Sequence, residues 1–143
     1  MGEALREARA AEQEGEVPVG AVVFHEGRIV GRGSNGPIAR CDPTAHAEIL
    51  AIRQAASRIG NYRLPGSVLV VTLEPCLMCF GAALHARLAR VVFGAQDPRI
   101  GAADLVMRLQ STPGGPNHRL IINGRIHEEE CASLLRSFFA ARR

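Results

Sequence analysis

Apolar and polar residues alternate along this chain with two different periods, and each change of period marks the boundary of a predicted element. Residues 3–14 have the spacing of a charged amphipathic helix, whereas residues 17–24 and 28–34 are patterned as the two strands of a hairpin. Residues 67–73 form a continuous, mainly β-branched run, which is typical of a strand buried on both faces. Residues 90–95 predict another strand.

Helices are predicted after the second and third strands. Asp42 and Pro43 would provide the N-cap and first-turn proline of a helix that ends near Gly60, and Pro75 would begin a helix that continues to about Arg87. The remaining predicted elements are a helix at 104–110, a strand at 119–123 and a helix from 128 to the end of the chain. This alternation predicts one α/β domain over residues 1–143, with helices on both faces of the sheet.

Composition adds three constraints to this picture. With 143 residues and 47% hydrophobic residues, the chain can build one core without disulfides. No apolar run reaches the length of a signal peptide or a membrane span, so we expect a soluble, cytoplasmic protein that does not bind membranes. The formal net charge is +3 and all 17 basic residues are arginine, which is compatible with a nucleic-acid partner but does not require one.

His46 and Glu48 lie two residues apart in an otherwise apolar predicted helix. In the middle of a helix such residues would point about 200° apart and could not serve one small site. At the first turn both can reach a metal ion or substrate placed beyond the helix end, so a shared site requires the N-terminal location. An isolated pair of this kind is more often a solvated histidine and a glutamate that favours the positive end of the helix dipole.

Cys76 and Cys79 lie three residues apart at the start of the next predicted helix, where both sulfur atoms can point to one spot. The positive end of a helix also stabilises the thiolate form that binds zinc. A redox CxxC motif and a pair of buried small side chains are the alternatives. Together with His46, the two cysteines offer three zinc donors and leave a position for water, as in catalytic zinc sites. Glu48 could then transfer protons between water, a ring nitrogen and a leaving amine.

Seven segments spread over nearly the whole chain carry a family resemblance: GEVPVGAVV, DPTAHAEI, NYRL, VTLEPCLMCFGA, RVVFGA, NHR and SFFAARR. On these segments the chain resembles the zinc-dependent nucleobase deaminases, and most closely the bacterial tRNA-specific adenosine deaminases. The resemblance implies a cytidine-deaminase-like α/β/α sandwich with a five-stranded mixed sheet, one zinc ion per subunit and a homodimer. The reaction it implies is hydrolysis of the wobble adenosine of a tRNA anticodon loop to inosine, with release of ammonia.

The resemblance also implies roles for individual residues. His46, Cys76 and Cys79 would bind zinc, and Glu48 would transfer protons. The residues implied in substrate binding are Asn35, Asp97, Asn117, Phe139 and Arg143. Without the resemblance, the two asparagines and the aspartate would be interpreted as turn or cap residues, the phenylalanine as a core anchor and the arginine as part of a solvated tail.

Two other functions remain open on the sequence. A deaminase of a free base or nucleoside, of the guanine, cytosine or cytidine type, would have the same metal motif. The basic C-terminal helix with its aromatic residues favours RNA, because phosphate contacts and stacking hold single-stranded loops. A non-catalytic zinc-binding or CxxC redox protein would have no need for Glu48 beside the metal, which favours an enzyme.

Overall fold

The computed structural model describes residues 1–143, which form five strands and six helices. The strands are β1 (Gly20–His25), β2 (Arg28–Ser34), β3 (Val68–Leu73), β4 (Arg90–Ala95) and β5 (Ile121–Asn123). The helices are α1 (Gly2–Gln13), α2 (Pro37–Arg40), α3 (Ala47–Ile59), α4 (Leu77–His85), α5 (Ala103–Ser111) and α6 (Glu128–Ala140). The short helix α2 has no counterpart in the sequence prediction.

The strands form one mixed sheet in the order β2-β1-β3-β4-β5, which confirms the predicted five-stranded mixed sheet. β1 pairs antiparallel with β2 and with β3, whereas β3, β4 and β5 run parallel. Leu73 of β3 lies opposite Ala95 of β4, so the segments that leave these two strands emerge side by side. We call this edge the C-terminal end of the sheet, and the edge at which β3 and β4 begin the N-terminal end.

Helices cover both faces of the sheet, which confirms the three-layer arrangement. On one face α3, α4 and α5 enclose the main core, whose residues include Ile52, Phe80 and Val106 packed with side chains of β1, β3 and β4. On the other face Ala4 of α1 packs near Val22 and Val70, and α6 closes the layer beyond it. The central strands are therefore buried on both sides, as the apolar run at 67–73 predicted.

Two glycines of β2 allow α3 to approach the sheet closely. A Cβ atom at Gly31 would lie 2.1 Å from the carbonyl oxygen of Ala51, and one at Gly33 would lie 2.0 Å from that of Ala47. The α3 backbone thus packs directly against the β2 backbone. Because Ala47 is the first residue of α3, this contact fixes the position at which the helix starts, directly after His46.

The predicted start of β1 at residue 17 is wrong by three residues. The backbone N–H of Val19 donates to the carbonyl oxygen of Val17 at 2.8 Å, which forms a tight turn, and Pro18 has no N–H to contribute to a ladder. The strand therefore begins at Gly20. β5 is also shorter than its prediction and begins at Ile121.

The two helix starts nearest the candidate metal donors also differ from the prediction. Asp42 does not cap α3, because its carboxylate accepts hydrogen bonds from the N–H and hydroxyl of Thr44, at 2.8 and 2.7 Å, in a separate turn. α3 begins at Ala47 and α4 begins at Leu77, two residues after Pro75. No helix in the structure combines the length and the apolar character needed to cross a membrane.

Candidate functional site

His46, Cys76 and Cys79 come together beyond the C-terminal end of the sheet. His46 directly precedes α3, Cys76 directly precedes α4, and both have extended backbone conformations, whereas Cys79 lies in the first turn of α4. The His46 Nδ1 atom is 3.7 Å from the Cys76 sulfur and 3.5 Å from the Cys79 sulfur, and the two sulfur atoms are 3.7 Å apart. The structure thus brings the three predicted ligands into one cluster.

The spacing of these three atoms fits zinc. Tetrahedral zinc with its usual bond lengths places two sulfur ligands about 3.8 Å apart and a nitrogen and a sulfur ligand about 3.6 Å apart. The observed distances of 3.5 to 3.7 Å match these edges closely. Three protein donors at this spacing could hold one zinc ion and leave a fourth position accessible to water or substrate.

The electrostatics of the cluster favour a thiolate. Hydrogen bonds from Cys79 and from His46 lower the pKa of the Cys76 thiol to about 4. The hydrogen bond with Cys76, together with burial, raises the pKa of Cys79, because one proton is then shared between the two sulfur atoms. The hydrogen bond to Cys76 also raises the pKa of His46. At least one sulfur is therefore ionised at neutral pH and ready to bind a metal cation.

Glu48 is the second residue of α3 and is only 4% exposed. Burial raises the pKa of this carboxyl group to about 7, and its charge interacts with those of His46 and Cys76, which places it beside the cluster. A carboxyl group that titrates close to neutral pH can both accept and release a proton under physiological conditions. The location is the one that the predicted proton-transfer role requires.

Glu74 also belongs to this site, although the sequence analysis did not include it. Its carboxylate accepts hydrogen bonds from the backbone N–H groups of Asp97, at 3.1 Å, and Ala103, at 3.0 Å. Gly101 lies so close that a Cβ atom there would be 2.4 Å from the carboxyl carbon of Glu74, and Gly101 also forms a bridge with Cys76. Glu74 thereby holds the loop after β4, which carries Asp97, against the segment that carries the metal donors. The sequence signal that could have identified Glu74 is its place between a buried strand and Pro75-Cys76.

Asn35 lies on the other side of the cluster, in the segment that follows β2. Its side-chain amide donates to the carbonyl oxygen of Val17 at 3.3 Å. The N–H of the next residue, Gly36, donates to the carbonyl oxygen of Ala45, which directly precedes His46. The structure therefore brings both Asn35 and Asp97 to the end of the sheet where the cluster lies.

Asn117 is not brought to the cluster. It is exposed in the loop between α5 and β5, and its carbonyl oxygen accepts a hydrogen bond from Arg87, which follows α4. Both residues belong to the N-terminal end of the sheet. β3 has six residues at about 3.3 Å each, so roughly 17 Å of strand separates this end from the cluster.

Phe139 and Arg143 lie at the end of α6, which packs through Cys131 and Leu135 near Ala95 at the C-terminal end of the sheet. Phe139 is 49% exposed and makes an edge contact with the buried Phe138, at 5.3 Å between ring centroids. Arg143 is exposed and makes no ion pair. An exposed aromatic ring and a free guanidinium group at a helix end are suited to stacking and to phosphate binding.

These features define a class of protein. Residues 1–95, which contain all three metal donors and Glu48, match the family model of the cytidine and deoxycytidylate deaminase zinc-binding region. The chain belongs to this family of zinc-dependent deaminases.

Individual relatives show which members of this family the chain is similar to. The tRNA-specific adenosine deaminase of Haemophilus influenzae is 48% identical over 144 residues, which cover 100% of this chain and 83% of the relative. A solved structure from studies of A-to-I editing by tRNA:A34 deaminases matches with a TM-score of 0.88 and 44% identity, over 94% of this chain and 97% of that one. Guanine deaminase from Bacillus subtilis matches with a TM-score of 0.65 and 30% identity, over 99% of this chain and 90% of that one.

Proposed function

We infer that this protein is a tRNA-specific adenosine deaminase. In this reaction water replaces the amino group of the wobble adenosine in a tRNA anticodon, so that inosine and ammonia are formed. The observation that carries the inference is the similarity to a tRNA:A34 deaminase structure, which extends over nearly the whole length of both chains. The similarity to a guanine deaminase is lower in both sequence identity and TM-score. A tRNA substrate supports a cytoplasmic location for the enzyme.

The site residues divide the work of this reaction. His46, Cys76 and Cys79 would hold zinc, which when bound lowers the pKa of water and so supplies a nucleophile at neutral pH. Glu48 accepts one proton from the attacking water and transfers it to a ring nitrogen, and it then transfers the second proton, from the newly formed C–OH group, to the leaving amine. Its burial keeps the carboxyl group apart from bulk solvent, so the proton stays within the site. The target base must leave its stack to reach these groups.

Residues around the cluster would bind the rest of the substrate. Asn35 and Asp97 flank the cluster from two loops, where polar groups can contact a flipped-out nucleoside. Phe139 and Arg143 on α6 would stack on a base and contact a phosphate group of the anticodon loop. The location of Asn117 at the far end of the sheet gives no support for a contact with the same nucleotide.

We also propose that the enzyme is a homodimer that associates through α4 and α5. Large apolar side chains are exposed on and beside these helices, which is uncommon on a monomer surface: Leu77, Met78, Ile100, Leu105, Met107 and Leu109. A two-fold axis would let this patch cover itself, as in most dimers of identical subunits.

The alternative is a deaminase of a free base, and the similarity to guanine deaminase is the observation that favours it. The two functions are separated by the specificity constants for an anticodon stem-loop, free adenosine and free guanine, measured in wild type and in Arg143→Ala at two salt concentrations. We expect strong preference for the stem-loop, and a log–log salt dependence of binding that falls by about 0.7 when Arg143 is removed. A free-base deaminase would turn over guanine at least as efficiently as the stem-loop, without sensitivity to salt or to the substitution.

A further inference from the structure

The N-terminal end of the sheet is lined by basic residues that the deamination reaction does not use. Three loops meet there: the loop between α3 and β3, the turn between α4 and β4, and the loop between α5 and β5. They carry Arg63, Arg87, His118 and Arg119, and Arg90 begins β4 beside them. We call these five residues the basic end.

One carboxylate, that of Glu26 in the turn between β1 and β2, lies at the same end of the sheet, where it is 86% exposed and lies 3.9 Å from the His25 ring. Between Glu48 and Glu128 the chain has only three acidic residues, Glu74, Asp97 and Asp104, and the hydrogen bonds of Glu74 to the loop after β4 and the start of α5 hold all three at the opposite end of the sheet. The ion pairs of the structure are made by other arginines, and none includes an arginine of the basic end. The polar contacts of Arg87, Arg90 and Arg119 are with neutral carbonyl and amide groups, so the arginines of the basic end have no acidic partner.

The basic residues surround a cleft. Its volume is about 450 Å³, and Arg63, Arg87 and His118 line it together with Pro65, Gly66 and Ala89. Arg87 is half-buried and donates to the carbonyl oxygen of Asn117 at 3.3 Å, while His118 donates to that of Leu88 at 2.6 Å. Arg63 lies over the ring of Tyr62, 5.3 Å from its centroid. These contacts orient the basic groups and still leave guanidinium N–H donors available.

Arg87 occupies a backbone position that normally belongs to glycine. It follows α4 with a φ angle of 57°, and the next N–H, of Leu88, donates back to the carbonyl oxygen of Ala83. This pattern ends many helices and favours glycine at the residue with positive φ. An arginine there has an energetic cost, and the contact of its guanidinium group with the Asn117 carbonyl oxygen holds that group at the cleft.

We propose that the basic end binds phosphate groups of the tRNA outside the anticodon loop. The inference rests on the proposed function, which supplies the polyanionic partner. The guanidinium group binds phosphate through paired hydrogen bonds, and arginines without an acidic partner around a cleft provide several such groups. A nucleic-acid duplex carries a phosphate about every 1.7 Å of its axis in DNA, and a stem of RNA is of the same order. A stem that leaves the catalytic site therefore presents many phosphates within the roughly 17 Å that separates the two ends.

The test is the salt dependence of binding to two RNAs, a full-length tRNA transcript and a seven-nucleotide anticodon loop, by wild type and the double variant Arg63→Ala/Arg87→Ala. We expect the log–log slope for the tRNA to fall by about 1.8, which corresponds to two lost duplex contacts, and the slope for the loop to stay unchanged. Zinc content and kcat at saturating tRNA should also remain at the wild-type level. If the loss of Arg87 lowers stability, Arg63→Ala/Arg119→Ala changes two exposed residues instead.

The matched control is Arg6→Ala/Arg9→Ala, which removes two exposed, ion-paired arginines from α1 and makes the same change in net charge. An unchanged tRNA slope in the basic-end variant would overturn the proposal, and so would an equal loss in the control, which would indicate an effect of net charge alone. Weaker binding of the loop RNA would also overturn it, because the residues would then act through the catalytic site. Inosine formation by the wild type is scored separately, so a failure of the proposed function is distinguished from a failure of the basic end.

Discussion

His46 and Cys76 have equivalent places in the fold, since each is the last extended residue before a helix. Their side chains consequently point past the N-terminal ends of α3 and α4. Because these two helices start side by side, both side chains can bind the same ion. This location also resolves the spacing of His46 and Glu48, because His46 lies outside the helical turn and the 200° separation of the helix interior does not apply. A start of α3 at Pro43 would have placed both residues in regular helix.

The first prediction concerns the metal. Cys76→Ser should reduce zinc from about one ion per chain to a minor fraction, because a serine hydroxyl is not ionised at neutral pH, and should lower the melting temperature, because metal binding contributes to folding. Metal analysis of the purified variant measures the first effect and calorimetry the second. Cys41→Ser is the control, since Cys41 is exposed and lies outside the cluster. Full zinc content in Cys76→Ser would remove this residue from the ligand set.

The second prediction separates chemistry from binding. Glu48→Gln should keep zinc and RNA affinity but reduce kcat for inosine formation by about 100- to 10,000-fold, because an amide cannot transfer protons to the base and the leaving group. Single-turnover kinetics with a stem-loop substrate provides the measurement. Glu16→Gln changes another buried carboxylate, which accepts a hydrogen bond from the N–H of Ala39, and should leave kcat nearly unchanged. Near-normal turnover in Glu48→Gln would assign the proton transfer to a different group.

At the scale of elements, the start of α3 depends on the glycines of β2. Gly33→Ala would place a Cβ atom 2.0 Å from the carbonyl oxygen of Ala47, so α3 must move away from the sheet. We expect a loss of unfolding free energy of about 1–3 kcal/mol and a lower zinc occupancy, since His46 moves with the helix. Urea titration and metal analysis measure the two effects.

The control for this substitution lies in α4, which covers the same face of the sheet as α3. A Cβ atom added at Gly81 of α4 would have no other atom within 4 Å, so Gly81→Ala should be tolerated and should stabilise by about 0.5–1 kcal/mol through helix propensity. If Gly33→Ala were as stable as wild type, the close contact between α3 and β2 would not be essential.

The elements differ in how far the sequence could predict them. β2 and β4 were predicted with the observed bounds, because turn residues and breaks in the apolar pattern delimit both strands. The start of α3 was wrong because Asp42 and Pro43 form the sequence signal of a helix start while the aspartate serves a local turn instead. Propensity alone does not distinguish these two uses of the same residues.

The site was predictable where its residues are close in the chain or share a metal, and not where they meet only through the fold. The spacing of His46, Cys76 and Cys79 indicated one cluster, and the structure brings them together. The contact of Glu74 with the loop after β4 depends on parallel strands that are adjacent in the sheet, and no local pattern encodes it. The remote position of Asn117 likewise follows from the direction of β4 and β5.

At the scale of the whole molecule, the exposed apolar patch on α4 and α5 leads to a prediction about assembly. The wild-type protein should sediment as a dimer at micromolar concentration, and Leu105→Glu, at a position that is 47% exposed, should shift it towards monomer by placing a charge in an apolar interface. Ile59→Glu, at the end of α3, is the control and should remain dimeric. Sedimentation of the wild type as a monomer would contradict the proposed dimer.

The direct contact between the backbones of α3 and β2 also bears on how this enzyme can change over evolutionary time. A helix that rests on side chains shifts whenever a neighbouring core residue gains or loses volume. Here the separation of the two backbones is independent of which apolar residues fill the surrounding core, so repeated exchanges of valine, leucine and isoleucine can accumulate without moving Glu48. The interior of the protein is thus free to diverge, or to be redesigned for heat resistance, while the register between helix and strand preserves the chemistry.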